Sequence, residues 1–307
     1  MKTLRATAPL GLVVLLGCIF NRDGAFFAWA TQRAMLREIS VHGILACGMT
    51  LVIVSGGIDL SVGSVLALCA VTFALGTLSL GWPAAAAIAA VLGVGVAAGL
   101  ISGLLVAKSR IQSFIVTLAM MVFARGLAKH LCGGRKVTSD LGLPSIFGAI
   151  DRTIFGGEVS IVTLVFFACA ALTYLVLARL RIGRYLYAVG GNLEAARLSG
   201  VPVARALCTA YALSGLFAAI AGICQAAQET HGDPETGMGY ELDAIAMVVL
   251  GGTSLAGGRG GVGLTLVGAL TLGVLQKVLS LNAFSTEARL MLTGAILIGA
   301  VLLQRRA

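Results

Sequence analysis

Val54-Ser55-Gly56-Gly57-Ile58-Asp59-Leu60-Ser61-Val62-Gly63 sets one carboxylate and three glycines between two long apolar runs. The run before it, Ala34 to Ser55, and the run after it, Val62 to Leu80, each approach the roughly 20 residues a helix needs to cross a bilayer. An ionisable group between such runs is costly unless it faces water, protein dipoles or a pathway. Glycines let the backbone break, and a discontinuous helix whose freed polar groups line a cavity is the functional reading. The alternative is that Asp59 caps a helix starting near Leu60 at the membrane surface, its side chain accepting from backbone N–H groups. The residues alone leave both open.

Working outward, 58% of the 307 residues are hydrophobic and 11% are charged, against about 25% charged in an average soluble domain. Mean hydropathy is +0.99. These values predict an all-α, polytopic integral membrane bundle in contact with lipid. Apolar runs at Ala8 to Ala28, Ala34 to Ser55, Val62 to Leu80, Ala84 to Ala107 and Ile111 to Leu131 give five spans. Ser160 to Ala178, Leu207 to Gln228, Ala244 to Ala256, Val262 to Leu281 and Ala288 to Leu303 give five more. The count is about ten, within a range of about 8 to 11. Asn21-Arg22-Asp23-Gly24 interrupts the first, Arg37 and Glu38 intrude on the second, and the eighth is short. Ten crossings occupy about 200 residues, so residues 1–307 read as a single transmembrane domain with no fused soluble module. Lys2 and Arg5 before the first run, with Leu15-Leu16-Gly17-Cys18 within it, resemble a signal peptide or a lipoprotein cleavage site, but with so many spans following, that run reads as an uncleaved helix.

The net charge of +9 is spread between apolar runs, which argues for membrane orientation and against nucleic acid. With ten spans both termini share a side with Lys2, Arg5, Lys108, Arg110, Arg179, Arg181, Arg184, Arg197, Arg205, Arg259, Arg305 and Arg306, and that side is expected to be cytoplasmic. Asp140, Asp151, Glu158, Glu229, Asp233, Glu235, Glu241, Asp243 and Glu287 fall opposite. The basic loop from Arg179 to Ala206 holds a short helix from Asn192 to Ser199, with Asn192 as cap and Glu194 at its positive end. It reads as a docking element or as a solvated connector.

A second break, Gly251-Gly252-Thr253-Ser254-Leu255-Ala256-Gly257-Gly258, shares Gly-Gly-x-x-Leu with the first. Matching interruptions point to a transport pathway, and the expected path or gate is Gly56, Gly57, Asp59, Ser61 and Gly63 with Gly251, Gly252, Thr253 and Ser254. Gly95, Gly99 and Gly103 lie on one helix face and read as a close-packing seam. The seven cysteines form no C-x-x-C, the three histidines have no ligand-spaced partners, and phosphate-loop and hydrolase motifs are absent. No metal, cofactor or catalytic residue is expected.

These strings together resemble the permease subunits of bacterial ABC importers for ribose and related monosaccharides, in the branch that also includes branched-chain amino acid permeases. The resemblance runs from about Ile44 onward. It rests on Gly48-Met49-Thr50-Leu51-Val52-Ile53 leading into Gly-Gly-Ile-Asp-Leu-Ser-Val-Gly, and on Phe114-Ile115-Val116-Thr117-Leu118 followed by Arg125-Gly126. Gly183-Arg184, Ala188-Val189-Gly190-Gly191-Asn192, Ala195-Ala196-Arg197-Leu198-Ser199-Gly200-Val201, Gly239-Tyr240-Glu241-Leu242-Asp243-Ala244-Ile245-Ala246 and Gly-Gly-Thr-Ser-Leu complete it. It implies a pore formed with a second permease copy, cytoplasmic ABC ATPase subunits, a periplasmic sugar-binding protein, and a location in the bacterial inner membrane. It also implies that Arg184, Asn192, Glu194, Ala195, Ala196, Arg197, Ser199 and Gly200 couple the permease to the ATPase, the small residues permitting close seating. Ser113 stands where the family often has Pro, Ala119 replaces a common Gly, and Arg259 adds charge to the second turn. The rival reading is an ion- or proton-coupled carrier using Asp59; a structural or receptor subunit without transport is a third.

Overall fold

The computed structural model describes residues 2–109, 111–139, 142–285, 287–289, 291, 292, 294 and 295; Arg110, Asp140, Arg305, Arg306 and much of the span predicted from Ala288 lie outside them. Helix α1 (Lys2–Ile19) leads through a 3-10 turn at Ala25–Phe27 to α2 (Trp29–Val54), and α3 (Val62–Ala74) runs on into one π-helical turn at Leu75–Ser79. There follow α4 (Ala84–Ser109), α5 (Ser113–Leu131), the short α6 (Ser145–Ile150) and a hairpin of β1 (Thr153–Ile154) with β2 (Val159–Ser160). The chain continues as α7 (Ile161–Ala178), α8 (Arg181–Gly191), α9 (Leu193–Leu198), α10 (Val203–Glu229), α11 (Tyr240–Leu250) and α12 (Val262–Leu281).

Among the described residues, seven helices are long and apolar enough to cross a membrane: α2, α3 with its π turn, α4, α5, α7, α10 and α12. They coincide with the second to seventh and ninth predicted spans, and the protein is an integral membrane helical bundle. The first predicted span stops at Ile19, where Asn21 Oδ1 accepts the Gly24 N–H at 2.9 Å and turns the chain. The eighth is α11, which ends at Leu250 after 11 residues. That is about 16 Å of helix against a hydrocarbon core of about 30 Å, so α11 is a half-helix.

Helices α2, α3 and α10 form the centre, and every residue of α2 from Ile44 to Val54 is buried. Between helices in lipid, cohesion comes from close van der Waals contact, which small residues permit. The seam of Gly95, Gly99 and Gly103 on α4 lies directly on α10: a Cβ at Gly99 would stand 2.1 Å from the Tyr211 carbonyl oxygen, and one at Gly95 2.3 Å from that of Gly215. Large apolar side chains on α4 and α5, among them Ile101, Leu105, Val122 and Phe123, point away from the chain.

The two ends differ in charge. At one, Arg37 pairs with Asp151 (2.5 Å), Lys129 with Glu235 (2.6 Å), Lys136 with Asp233 (3.1 Å) and Lys277 with Glu38 (2.9 Å). Phe147 of α6 is buried there against Phe73, ring centroids 5.2 Å apart, which pins the 132–160 loop to the bundle. The other end carries α8 and α9 with exposed Arg181, Arg184 and Arg197. Helix α8 was not expected from the sequence; its Gly183, Leu186 and Val189 are buried while Arg181 and Arg184 face out.

Replacing Gly99 by Ala is expected to destabilise the bundle by about 1–3 kcal/mol through overpacking, whereas Gly93→Ala, where a Cβ meets open space, is expected to be neutral. Thermal unfolding of the two variants in detergent checks the difference.

Candidate functional site

The break after α2 is held by its own carboxylate. Asp59 is 2% exposed; its Oδ1 accepts from the Ser61 N–H (3.0 Å) and Ser61 Oγ (2.6 Å), and its Oδ2 from Ser214 Oγ (2.7 Å). Three donors thus replace water around a buried carboxyl. The Ser61 N–H it accepts belongs to the residue before α3, and Ser214 lies eleven residues into the 27-residue α10, so the carboxyl sits about halfway along a spanning helix. The neighbouring peptide is also partnered: the Ile58 N–H donates to Ser113 Oγ and the Ile58 carbonyl accepts from Thr117 Oγ1, both at 3.2 Å. Ser113, where the family often has proline, supplies an acceptor that proline lacks. Gly57 admits the buried Tyr211, whose hydroxyl would be 2.4 Å from a Cβ there.

The second break is a closed turn after α11. The Ser254 N–H donates to the Arg259 carbonyl (3.1 Å), and Thr253, fully buried, accepts the Gly261 N–H on Oγ1 (3.3 Å). Gly251 packs on α12, where a Cβ would be 1.9 Å from the Leu264 oxygen.

The two breaks touch, and they touch at α8. The Gly258 N–H donates to the Val54 carbonyl, the last of α2, at 2.9 Å. Gly190, near the end of α8, lies between them: a Cβ on it would be 2.0 Å from the Val54 oxygen and 2.6 Å from the Gly258 nitrogen. Gly257, at φ +82°, approaches both Gly56 and Gly190. Tyr187, one turn earlier on α8, donates its hydroxyl to the Gly260 carbonyl at 2.8 Å. At the other end of α11, Gly63 meets Gly237 backbone to backbone, close to Glu241 Oε2. Of the residues expected in the path, the Gly56-to-Gly63 set and the Gly251-to-Ser254 set therefore belong to one connected region, with Gly257 and Gly258 making the contact itself.

Two residues beyond Gly190, Asn192 caps α9, its Oδ1 accepting the Ala195 N–H at 2.9 Å. Glu194 and Arg197 face out and lie 3.7 Å apart. Ala195, Ser199 and Gly200 are exposed, whereas Ala196 is 5% exposed and turned into the chain. The outward face also includes Leu193 and Leu198, the latter 81% exposed. Arg184 is exposed on α8. Sequence reading missed Leu193 and Leu198, and also Ser113, Thr117, Ser214, Tyr187 and Gly190 as parts of the breaks. Hydroxyls within apolar helices and the Gly190-Gly191 pair were the available signals.

Two interrupted helices, joined inside a bundle and abutting a helix at one end, define a multi-pass membrane protein. The family model for the permease component of branched-chain amino acid transport systems matches residues 33–301. The ribose import permease protein of Escherichia coli K12 is 40% identical over 301 residues, 97% of this chain and 92% of that protein. That of Bacillus subtilis is 38% identical, covering 97% and 91%, and the L-arabinose transport system permease protein of E. coli K12 is 39% identical, covering 96% and 90%. No solved structure matches the chain. The chain belongs to this permease family, in its ribose-type branch, and is a multi-pass protein of the bacterial inner membrane.

Asp59→Ala strips the acceptor from three buried donors, at about 1–3 kcal/mol for each group left unsatisfied; Asp59→Asn keeps one acceptor oxygen. Melting temperatures in detergent are expected to fall in the order wild type, Asn, Ala.

Proposed function

We propose that this chain is the membrane-spanning permease of an ATP-driven importer for ribose or a related monosaccharide. The relatives named for ribose, L-arabinose and fructose import, each matching more than nine-tenths of this chain, support the sugar class. In this reading residues 1–307 form one translocation domain of about ten spans, with both termini and the basic end in the cytoplasm. A periplasmic sugar-binding protein delivers substrate to the end that carries the ion pairs, a second permease copy completes the pore, and cytoplasmic ABC ATPase subunits seat on the 179–206 loop. The permease does no covalent chemistry and needs no cofactor.

The observation that carries the mechanism is the seat of Gly190 between the Val54 carbonyl and the Gly258 N–H. The chain leaves that seat directly into α9, the candidate coupling helix. A push on Leu193, Glu194, Arg197 and Leu198 reaches the junction of both breaks through α8, with Tyr187 as a second point of attachment. Arg184 lies on the same exposed side of α8, and Ala196 serves by anchoring α9 to its own chain. Gly56, Gly57, Ser61 and Gly63, with Gly251, Gly252, Thr253 and Ser254, form the gate around Asp59. The carboxylate organises the break; affinity for sugar belongs to the binding protein.

The test is uptake by proteoliposomes holding the permease, its ATPase and its binding protein. Vanadate is expected to abolish uptake and an uncoupler to leave it intact; the reverse pattern would establish an ion-coupled carrier instead. Exchanging the exposed Leu198 for Glu, together with Glu194→Ala, is expected to separate ATP hydrolysis from uptake, and unchanged coupling would reject the docking assignment. Asp59→Asn is expected to impair uptake more than it impairs assembly with the ATPase, and normal uptake would show the carboxylate to be dispensable.

A further inference from the structure

A groove on the outer wall of the bundle opens beside the 179–206 loop. It lies between α4 and α10, with a cavity of about 450 Å³ lined by Val96 and Leu100 on α4 and by Thr209, Ala212 and Leu216 on α10. A second cavity of about 470 Å³, lined by Ala107, Arg197, Pro202 and Ala204, meets it at Arg205, which lines both. The two depressions share Arg205, giving the groove an apolar limb on one side and a basic mouth on the other.

The apolar limb follows one face of α10. From Arg205 to Leu216 is eleven residues, about 16 Å of helix, and half of a bilayer's hydrocarbon core is about 15 Å. The groove thus reaches through about one leaflet. Its polar atoms are withdrawn: Thr209 Oγ1 donates to the Arg205 carbonyl at 2.8 Å, which turns the hydroxyl onto its own helix. The mouth is cationic. Arg197 and Arg205 line it and Lys108 follows Ala107 at the end of α4, against one acid, Glu194, that already faces Arg197. Among the described residues Arg205 and Lys108 make no ion pair.

We propose that this groove is a binding site for an anionic phospholipid, one acyl chain lying along Val96, Leu100, Ala212 and Leu216 and the phosphate held at the mouth by Arg205 and Lys108. A zwitterionic lipid brings the same chain but no net charge for the two cations. A soluble anion brings charge but nothing for the apolar limb. Basic pockets between spanning helices near a membrane surface select anionic head groups on this ground. The inference needs only that the bundle spans a bilayer; its mouth borders the 179–206 loop, and lipid binding to the permease alone is read without the ATPase.

Native mass spectrometry of the full chain in detergent, titrated with phosphatidylglycerol and with phosphatidylcholine of identical acyl chains, tests it. Wild type is expected to retain phosphatidylglycerol preferentially. Arg205→Gln, a substitution at an exposed position, is expected to weaken that lipid about fivefold, the effect of removing one surface cation, and to leave phosphatidylcholine unchanged. Ala212→Phe, which fills the limb, is expected to weaken both. Equal binding of the two lipids to wild type, or full retention of phosphatidylglycerol by Arg205→Gln, overturns the proposal; so does its complete displacement by inorganic phosphate, which would assign the cations to a free anion.

Discussion

A polypeptide that interrupts its helices inside lipid must find partners within the protein for every backbone group it frees. That constraint governs this molecule. The Ile58 peptide is held on both sides by α5 hydroxyls, the Val54 carbonyl by the Gly258 N–H, and the Gly260 carbonyl by Tyr187. Asp59 extends the same principle to a side chain, collecting the hydroxyls of Ser61 and Ser214 where a cation partner is absent among the described residues. The breaks are therefore rigid crossings of the fold, tied to four helices, and not loose segments.

Close backbone approach makes these ties possible. Where Gly190 sits, any side chain would overlap the Val54 oxygen, and the hydrogen bond between the two breaks would be lost. The α4–α10 seam works likewise at larger scale and fixes α10, which in turn carries Ser214 to Asp59. A surface helix, a buried carboxylate and a glycine seam are thus parts of one arrangement.

Much of this was legible in the residues. Long apolar runs and scarce charge are direct consequences of the solvent a membrane protein folds in, and seven predicted spans coincide with helices. The Asp59 break stood out because a carboxylate among apolar neighbours has few physical excuses, and Asn192 announced its cap by residue type. What stayed hidden was pairing at long range. Ser214 is 155 positions from Asp59, and nothing local to a serine in an apolar helix says whether it bonds its own backbone, as Thr173 does, or a distant carboxyl. Helix α8 escaped because its arginines made the 179–206 stretch read as loop, although its apolar residues recur at helical spacing. The inward turn of Ala196 was equally invisible, since small residues suit either face of a short helix.

Helices α11 and α12 are joined without clearance: a Cβ at Gly268 would stand 1.8 Å from the Met247 oxygen, and one at Gly251 a similar distance from Leu264. Sliding of one past the other is blocked by their main chains. The strap between Thr230 and Gly239 that leads into α11 is fastened as well, its Pro234 and Thr236 carbonyls accepting from Arg125 of α5. The half-helix is therefore held along its length by α12 and, ahead of its first turn, by α5.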